Sequence, residues 1–370
     1  KGYLDYVVRG EGEVTLPELL DCLNAGGDLQ DVRGIAFYLD GYPFATENRA
    51  LIQDLDGLKP AWDLVQWKDY FYRPKQNSVL AIVSSSRGCN QQCSFCSQQL
   101  FWERTWRGRS PESFVEELVM LNGEYGVNVA MLADETPTLM RDRWEKILDL
   151  LIERKTGVDL LMETRVADII RDEDILDKYR RAGIVHIYMG VEATDQKTLD
   201  LFNKKLKVAD SKKAIDLVNA QDIVSETSFV LGMPLDTPES IARTLKLAQY
   251  YNPDMAFFLA IAPWPYAEIF GELKDHIEET DFRRYNLVEA VVKPVAMSRA
   301  ELERELLETT KKFYMGKMAN FSALSSYKQG FMRSVMDLLM HHSYLAPHIK
   351  AGAEEMPEEI KRLLNLSPIP

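Results

Sequence analysis

The stretch Ser86-Arg87-Gly88-Cys89-Asn90-Gln91-Gln92-Cys93-Ser94-Phe95-Cys96 holds three cysteines in the spacing C-x3-C-x2-C. Three thiolates on one short loop can each bind one iron of a [4Fe–4S] cube and leave the fourth iron open. An open iron can bind a small molecule, so this spacing indicates a site for chemistry and not only for electron storage.

Other uses of three cysteines fit this loop less well. A structural zinc site usually has four ligands, yet the only other cysteine is Cys22, and no histidine lies within 80 residues of the loop. Three cysteines cannot all pair in disulfides. Three buried, unconnected cysteines remain an alternative, but the sequence favours an iron–sulfur cluster with one open iron.

The sequence around this loop alternates between strand and helix patterns. Short apolar runs rich in β-branched residues predict six strands: Val79–Ser84, Val127–Leu132, Asp159–Glu163, Ile184–Gly190, Ile223–Leu231 and Met255–Ile261. The segments between them predict helices from Pro111 to about Tyr125, and at Asp142–Lys155, Asp172–Ala182, Gln196–Phe202, Ala209–Asn219 and Pro238–Tyr250. Alternating units of this kind form parallel sheets with right-handed crossovers. We therefore expect an α/β fold, a partial open (β/α)6 barrel, with the cysteine loop at the C-terminal ends of its strands, where such barrels carry their chemistry.

Three regions follow from these patterns. Residues 1–75 are expected to form a short connector, with a helix at Thr15–Leu23 and a hairpin around Asp40-Gly41. Residues 76–270 form the expected barrel, and residues 271–370 a mostly helical region. In the last region a capping box at Ser298 opens a helix to about Met318, and a second helix is predicted at Phe331–His342.

Composition narrows the classes of function. The chain has 44 Lys and Arg against 57 Asp and Glu, a net charge of −13, which argues against a nucleic-acid partner. Its four cysteines suit a reducing cytoplasm. The sequence contains no signal-peptide core and no transmembrane span, because apolar runs such as Met255 to Ala262 are too short. We expect a cytoplasmic protein that acts on a small molecule.

The cysteine spacing, Phe95 before the third cysteine, and the preceding strand together resemble the radical S-adenosylmethionine (SAM) superfamily. This resemblance implies that the open iron binds the amino and carboxylate groups of SAM. It also implies that one electron from the cluster cleaves SAM to a 5′-deoxyadenosyl radical.

The same resemblance suggests cofactor contacts at four strand ends. Asp134 and Glu135 stand where the family places a Gly-Gly-Glu segment for the SAM amino group, although they could simply cap a helix. Arg165 could pair with the SAM carboxylate, or form a structural salt bridge to Glu163, Glu135 or Glu192. The last three candidates resemble the family's contacts to the SAM ribose, methionine end and adenine: Gly190, Glu192 and Gly232.

Aromatic residues near the loop and the last strand are candidates for substrate contacts. Trp102 follows the cysteine loop, and Trp264 and Tyr266 follow the sixth strand. Aromatic rims suit a large, flat, apolar substrate. The alternative is that these rings only seal the barrel against the C-terminal helices.

Longer segments resemble one family, the anaerobic magnesium-protoporphyrin IX monomethyl ester oxidative cyclases. They include Leu132-Ala133-Asp134-Glu135-Thr136-Pro137-Thr138, Thr164-Arg165-Val166-Ala167-Asp168-Ile169 and Leu201-Phe202-Asn203-Lys204. The resemblance implies oxidative closure of the isocyclic ring of a chlorophyll precursor, with an electron donor such as flavodoxin or ferredoxin. It also implies cobalamin, bound through an Asp-x-His-x-x-Gly domain whose signature this sequence lacks, so cobalamin is expected to bind through a domain absent from this chain.

Three alternatives remain open at this point. Cobalamin-dependent radical SAM methyltransferases share most of these motifs and act on unactivated carbons. A non-catalytic iron–sulfur scaffold and a tRNA-modifying enzyme are the others, and the negative net charge disfavours the latter.

Overall fold

The computed structural model describes residues 4–341. Its strands, in chain order, are β1 Tyr6–Val8, β2 Ile35–Leu39, β3 Tyr42–Ala45, β4 Leu80–Val83, β5 Ser86–Gly88, β6 Trp106–Gly108, β7 Val129–Leu132, β8 Asp159–Thr164, β9 Ile184–Glu192, β10 Val224–Leu231 and β11 Met255–Ala260. Its α-helices are α1 Gly12–Ala25, α2 Gln98–Phe101, α3 Pro111–Tyr125, α4 Arg141–Arg154, α5 Val166–Arg171, α6 Leu176–Arg181, α7 Gln196–Leu201, α8 Val208–Ala220, α9 Pro238–Tyr251, α10 Phe270–Leu273, α11 Arg299–Ala319 and α12 Ser326–His341.

The central sheet confirms the predicted fold. Six strands lie in the order β11-β10-β9-β8-β7-β4, and every neighbouring pair is parallel. The first strand, β4, and the last, β11, stand at opposite edges, so the barrel is open. Helices follow the strands as right-handed parallel units require, and the carboxyl ends of all six strands meet at one rim.

Alternation along each strand separates the two faces of this sheet. Ala81 and Val83 of β4 are buried among the helices, whereas Ile82 between them is 54% exposed. The same alternation sets Met131 of β7 and Phe257 of β11 apart from their buried neighbours. Because successive side chains point to opposite faces of a strand, the helix-covered face forms the core and the other face lines the interior of the barrel.

Two short strands after β4 were not predicted. β5 and β6 pair antiparallel, with Arg87 opposite Arg107, and this ribbon carries the start of the cysteine loop. Each strand has only three residues, too few to show an alternating pattern. The expected helix at Asp172–Ala182 also differs, because a 3-10 turn at Glu173–Ile175 separates α5 from α6.

The C-terminal helices pack on the barrel. The Tyr314 hydroxyl of α11 donates to the Ala256 carbonyl of β11 at 3.3 Å. Lys328 of α12 is almost buried, with Nζ 2.6 Å from Oδ2 of Asp254. The capping box at Ser298 and Glu301 begins α11 as predicted. The predicted end of the second helix, His342, lies outside the described residues.

The N-terminal residues form a small antiparallel sheet, β1-β2-β3, beside α1. Asp40 and Gly41 have φ angles of 52° and 84°, the conformation that closes a tight hairpin between β2 and β3. Among the helices that the structure describes, none combines the length and hydrophobicity needed to cross a membrane.

Candidate active site

The cysteine loop is fixed by the end of α7. The Ser94 amide donates to the Phe202 carbonyl at 2.9 Å, and its hydroxyl donates to the Leu201 carbonyl at 2.8 Å. The Asn203 side-chain amide donates to the Gln92 carbonyl at 2.8 Å. These bonds fix the cysteine loop to the end of α7, and the Cys96 amide closes the loop on the Cys93 carbonyl at 3.0 Å.

Three unpaired thiols, Cys89, Cys93 and Cys96, line one cavity of about 250 Å³. Burial is the main cause that raises the pKa of the Cys93 thiol to about 11; the Lys204 ammonium opposes this rise, and Cys96, Glu192 and Cys89 add to it. Burial also raises the pKa of Cys96. A cysteine binds a metal as the thiolate, so a bound metal ion would offset this rise in pKa.

The cavity fits a cluster better than it fits one ion. Among residues 4–341, no three His, Cys, Asp or Glu side chains converge on a position for a single metal ion. A cubane cluster makes a different demand, since each thiolate binds its own iron. The three thiols facing one cavity meet that demand.

Asp134 and Glu135, which follow β7, face opposite ways. Asp134 is fully buried and accepts hydrogen bonds from the Ser85 amide at 2.8 Å, the Ser85 hydroxyl at 2.6 Å and the Ser86 hydroxyl at 2.5 Å. Burial raises the pKa of Asp134 to about 6, although these hydrogen bonds oppose the rise. Asp134 thus ties β7 to the segment between β4 and β5, whereas Glu135 borders the cavity of the cysteines.

Two donors hold the Glu135 carboxylate. The Gly88 amide donates to Oε2 at 2.9 Å, and the Trp102 indole Nε1 donates to Oε1 at 2.5 Å. Gly88 has φ +90°, and a Cβ there would collide with the Thr105 carbonyl. The residue before the first cysteine therefore has to be glycine for its amide to reach Glu135.

Arg165 also borders the cavity, and its partner is a residue that sequence reasoning missed. Its Nε and Nη2 lie 3.1 and 2.5 Å from the two carboxylate oxygens of Asp168. Asp168 is buried and also accepts from the Thr138 hydroxyl at 2.7 Å. Arg165 therefore forms its salt bridge with Asp168 and not with any of the three glutamates considered from the sequence. Residues three apart are neighbours on a helix, so the spacing of Arg165 and Asp168 could have indicated this pair.

Beside the cysteines, β9 ends in a distorted turn. Glu192 has φ 64°, a left-handed conformation that is strained for a residue other than glycine. Its Oε1 lies 2.6 Å from Nζ of Lys204, and its Oε2 accepts from the Ser228 hydroxyl at 3.1 Å. A Cβ on Gly190 would lie 2.7 Å from Lys204 Nζ and collide with the Glu192 carboxylate. Gly190, Glu192 and Lys204 all border the cavity.

Phe95 links the cysteine loop to this turn. Its ring packs on Phe202 with centroids 4.9 Å apart, and Lys204 Nζ lies 6.0 Å from the Phe95 ring centroid. Lysine held near an aromatic face gains cation–π attraction. Lys204, which the sequence did not single out, is thus fixed between Glu192 and the loop.

Other sequence candidates lie apart from the residues that line this cavity. The Gly232 amide donates to Asp236 at 2.8 Å, and a Cβ on Gly232 would approach Leu302 of α11 to 2.6 Å. Trp264 and Tyr266 stack with centroids 6.2 Å apart, and Tyr266 is 54% exposed. Their roles in binding adenine and substrate stay predictions.

The interior face of the barrel is polar on its central strands and apolar towards its edges. The central strands contribute polar groups, among them Glu163 and Tyr188, which are cross-strand partners. The edge strands contribute exposed apolar side chains: Ile82 at 54%, Met131 at 47% and Phe257 at 40% exposure. Burial, together with the carboxylates of Glu135, Asp134, Glu226 and Glu192, raises the pKa of Glu163 to about 7.

These features coincide with a known family. Residues 83–248 match the model of the radical SAM superfamily, so the chain carries a radical SAM domain, which is the domain of an enzyme. The matched range contains the three cysteines, Glu135, Arg165 and Glu192.

The chain is also similar to known cyclases and methyltransferases. The chain is 39% identical over 319 residues to the anaerobic magnesium-protoporphyrin IX monomethyl ester cyclase of Rubrivivax gelatinosus, covering 85% of this chain and 57% of the relative. It is 35% identical over 268 residues to the cyclase of Synechocystis sp., covering 72% of this chain and 53% of the relative. The hopanoid C-3 methylase of Methylococcus capsulatus is 23% identical over 100% of this chain and 70% of its own length. The chain spans about half the length of the cyclases that it matches.

Solved structures share the fold. The cobalamin-dependent radical enzyme OxsB, solved with aqua-cobalamin and SAM, has a TM-score of 0.69 at 15% identity, over 95% of this chain and 59% of that one. The radical SAM methyltransferase TsrM from Kitasatospora setae, solved with tryptophan and a SAM analogue, has a TM-score of 0.65 at 18% identity, over 81% and 61% of the two chains.

Proposed function

We propose that this chain is the catalytic part of a radical SAM enzyme that binds a [4Fe–4S] cluster and SAM in the cysteine-lined cavity. The observation that carries the proposal is that Cys89, Cys93 and Cys96 border the same cavity as Glu135 and Arg165. When bound, the cluster supplies one electron that cleaves SAM to a 5′-deoxyadenosyl radical.

In this proposal, different residues of the cavity bind different groups of SAM. Glu135, an acceptor already oriented by two N–H donors, faces the ammonium of the methionine moiety. Arg165, oriented by Asp168, pairs with the carboxylate in a charge-assisted hydrogen bond. The ion pair of Glu192 and Lys204 packs over Gly190 and also borders the cavity, and in this proposal it lies beside the sulfonium and ribose.

The reaction that we propose is oxidative cyclisation of magnesium-protoporphyrin IX monomethyl ester. Identity of 39% to the cyclase of Rubrivivax gelatinosus supports this substrate. The interior of the barrel supports it too, because Ile82, Met131 and Phe257 expose apolar surface that a flat macrocycle can cover. In this proposal Ile82, Met131 and Phe257, which we call the interior wall, make the main substrate contacts. The aromatic residues at the rim, Trp264 and Tyr266, do not.

Two further components belong to the proposal. Cobalamin, present in the solved OxsB and TsrM structures, would be held outside residues 4–341. A one-electron donor such as flavodoxin or ferredoxin would reduce the cluster, in a reducing compartment such as the cytoplasm.

A methyltransferase is the second candidate function. The hopanoid C-3 methylase matches the whole length of this chain, and TsrM shares its fold. A methyltransferase consumes a second SAM as methyl donor, so it releases S-adenosylhomocysteine together with 5′-deoxyadenosine.

Product analysis separates these candidates. The cluster-loaded protein, in the longest natural form of the chain, is incubated without oxygen with SAM, a reductant, cobalamin and the porphyrin ester. The cyclase proposal expects 5′-deoxyadenosine and a porphyrin with a fifth ring, without S-adenosylhomocysteine. Methylated product with S-adenosylhomocysteine identifies the methyltransferase, and intact SAM contradicts both.

A further inference from the structure

A chain of contacts runs from the N-terminal residues to the SAM cavity. It ends at Glu135, whose Oε1 accepts from the Trp102 indole at 2.5 Å and whose Oε2 accepts from the Gly88 amide at 2.9 Å. The two donors are adjacent, because a Cβ on Gly88 would lie 3.2 Å from Cβ of Trp102. Each carboxylate oxygen therefore has one fixed donor and retains lone pairs for a ligand.

The Trp102 indole is itself held by the Arg107 side chain. The Arg107 guanidinium lies 5.6 Å from the centroid of the Trp102 ring, within cation–π range. Arg107 is 8% exposed, and its Nη1 lies 2.9 Å from Oε2 of Glu11. Glu11 is almost fully buried at its side chain and also accepts from the Ile52 amide at 2.6 Å. A glutamate from the N-terminal region thus anchors the arginine against which the indole lies.

We infer that Trp102 is a positioning residue for SAM: its indole N–H fixes the Glu135 carboxylate toward the cavity, and the pair Arg107 and Glu11 fixes the indole. This inference rests on the proposed function, in which Glu135 receives the SAM ammonium. A carboxylate with free rotation would lose entropy on binding, and the two donors remove that loss beforehand.

The geometry separates this role from the substrate contact expected for Trp102. A ring that binds a flat substrate needs an open face, and Arg107 lies over one face of the Trp102 ring while the indole N–H is bonded to Glu135. Phe101 packs edge-on to the same indole, with centroids 4.7 Å apart.

The test is equilibrium binding of SAM to the anaerobic, cluster-loaded protein, followed through the change that SAM causes in the electron paramagnetic resonance signal of the reduced cluster. Trp102→Phe keeps the ring and removes the N–H, and it is expected to weaken SAM binding about tenfold while the iron content and the signal without SAM stay unchanged. In the Glu135→Gln background the same change is expected to add little, because coupled residues are not additive.

Trp62→Phe is the matched control. The Trp62 indole donates to Oε1 of Glu117 at 3.0 Å, the same kind of bond away from the cavity, so its loss should leave SAM affinity unchanged. Unchanged affinity in Trp102→Phe, with Glu135→Gln weakened, overturns the inference and leaves the proposed function intact. Unchanged affinity in Glu135→Gln overturns the assigned role of Glu135 in the proposed function. A Trp102→Phe effect of full size in the Glu135→Gln background also overturns the inference, because Trp102 then acts elsewhere.

Discussion

Nζ of Lys204 lies 2.6 Å from Oε1 of Glu192, and this ion pair passes over the backbone of Gly190. Both charged side chains are mostly buried, at 17% and 9% exposure. Glu192 keeps a left-handed backbone to make the contact. Strain of this kind persists where the surrounding structure enforces it, and it concentrates at functional sites. We therefore treat the pair as part of the wall against which SAM binds.

Replacing Gly190 tests this wall. In Gly190→Ala the new methyl group would meet both the Glu192 carboxylate and Lys204 Nζ, so the pair must shift. We expect the free energy of unfolding to fall by about 1–3 kcal/mol and SAM binding to weaken. Gly123→Ala is the control, since a Cβ at Gly123 in α3 meets nothing within 4 Å. There, alanine should raise stability by roughly 0.5–1 kcal/mol. Equal effects of the two changes in chemical denaturation would show that Gly190 faces open space.

Asp168 should matter to SAM without touching it. Asp168→Asn keeps the size of the side chain but removes the charge that holds Arg165 in a two-point contact. We expect SAM affinity to fall several-fold, with an intact cluster absorbance. Asp174→Asn is the comparison, because Asp174 forms an exposed two-point pair with Arg141 and surface pairs contribute little. If both variants bind SAM like the parent protein, the orientation of Arg165 is not a determinant.

Glu163 should give stability a pH dependence. Burial and neighbouring carboxylates raise its pKa in the folded chain to about 7, from an ordinary value of 4.5. Between these values the folded form holds a proton that the unfolded form has lost, so the free energy of unfolding falls as pH rises through this window. In Glu163→Gln, denaturation at pH 5 and at pH 8 should differ less than in the parent protein. An equal or larger difference would mean that Glu163 titrates normally.

The interior wall should bind substrate independently of SAM cleavage. Phe257→Asp places a charge where 40% of an apolar ring is exposed, and we expect porphyrin ester binding to weaken at least tenfold. Cleavage of SAM with dithionite as reductant should continue without substrate. Tyr266→Asp makes the same change at the rim. Loss of porphyrin binding in Tyr266→Asp alone would return the substrate to the rim aromatics.

The sequence predicted the barrel because the β-strands of the central sheet carry apolar runs, such as Val129–Leu132, that are long enough to recognise. It missed the ribbon of β5 and β6, whose pairing depends on contacts across the cysteine loop and not on a local pattern. It placed the cysteines correctly at the rim, since the end of a barrel strand defines that position.

The sequence could also have predicted that Asp134 is buried and that Glu135 faces the cavity. Met131 and Glu135 share the parity of residues facing the interior, whereas Leu132 and Asp134 share the buried parity. Lys204 and Asp168 could not be assigned in this way. Lys204 follows α7, and its partner Glu192 at the end of β9 lies twelve residues earlier, so only the folded turn brings the two together. Asp168 lies in α5 three residues after Arg165, and that spacing, not strand parity, was the signal for this pair.

The most direct test loads the chain with iron and sulfide under strictly anaerobic conditions and analyses both the metal and the products of SAM after reduction. The account predicts four irons per chain in a [4Fe–4S] cluster, release of 5′-deoxyadenosine and methionine, and loss of both cluster and cleavage in Cys93→Ala. Zinc or no metal at the cysteines, or intact SAM with a fully loaded and reduced cluster, would contradict it.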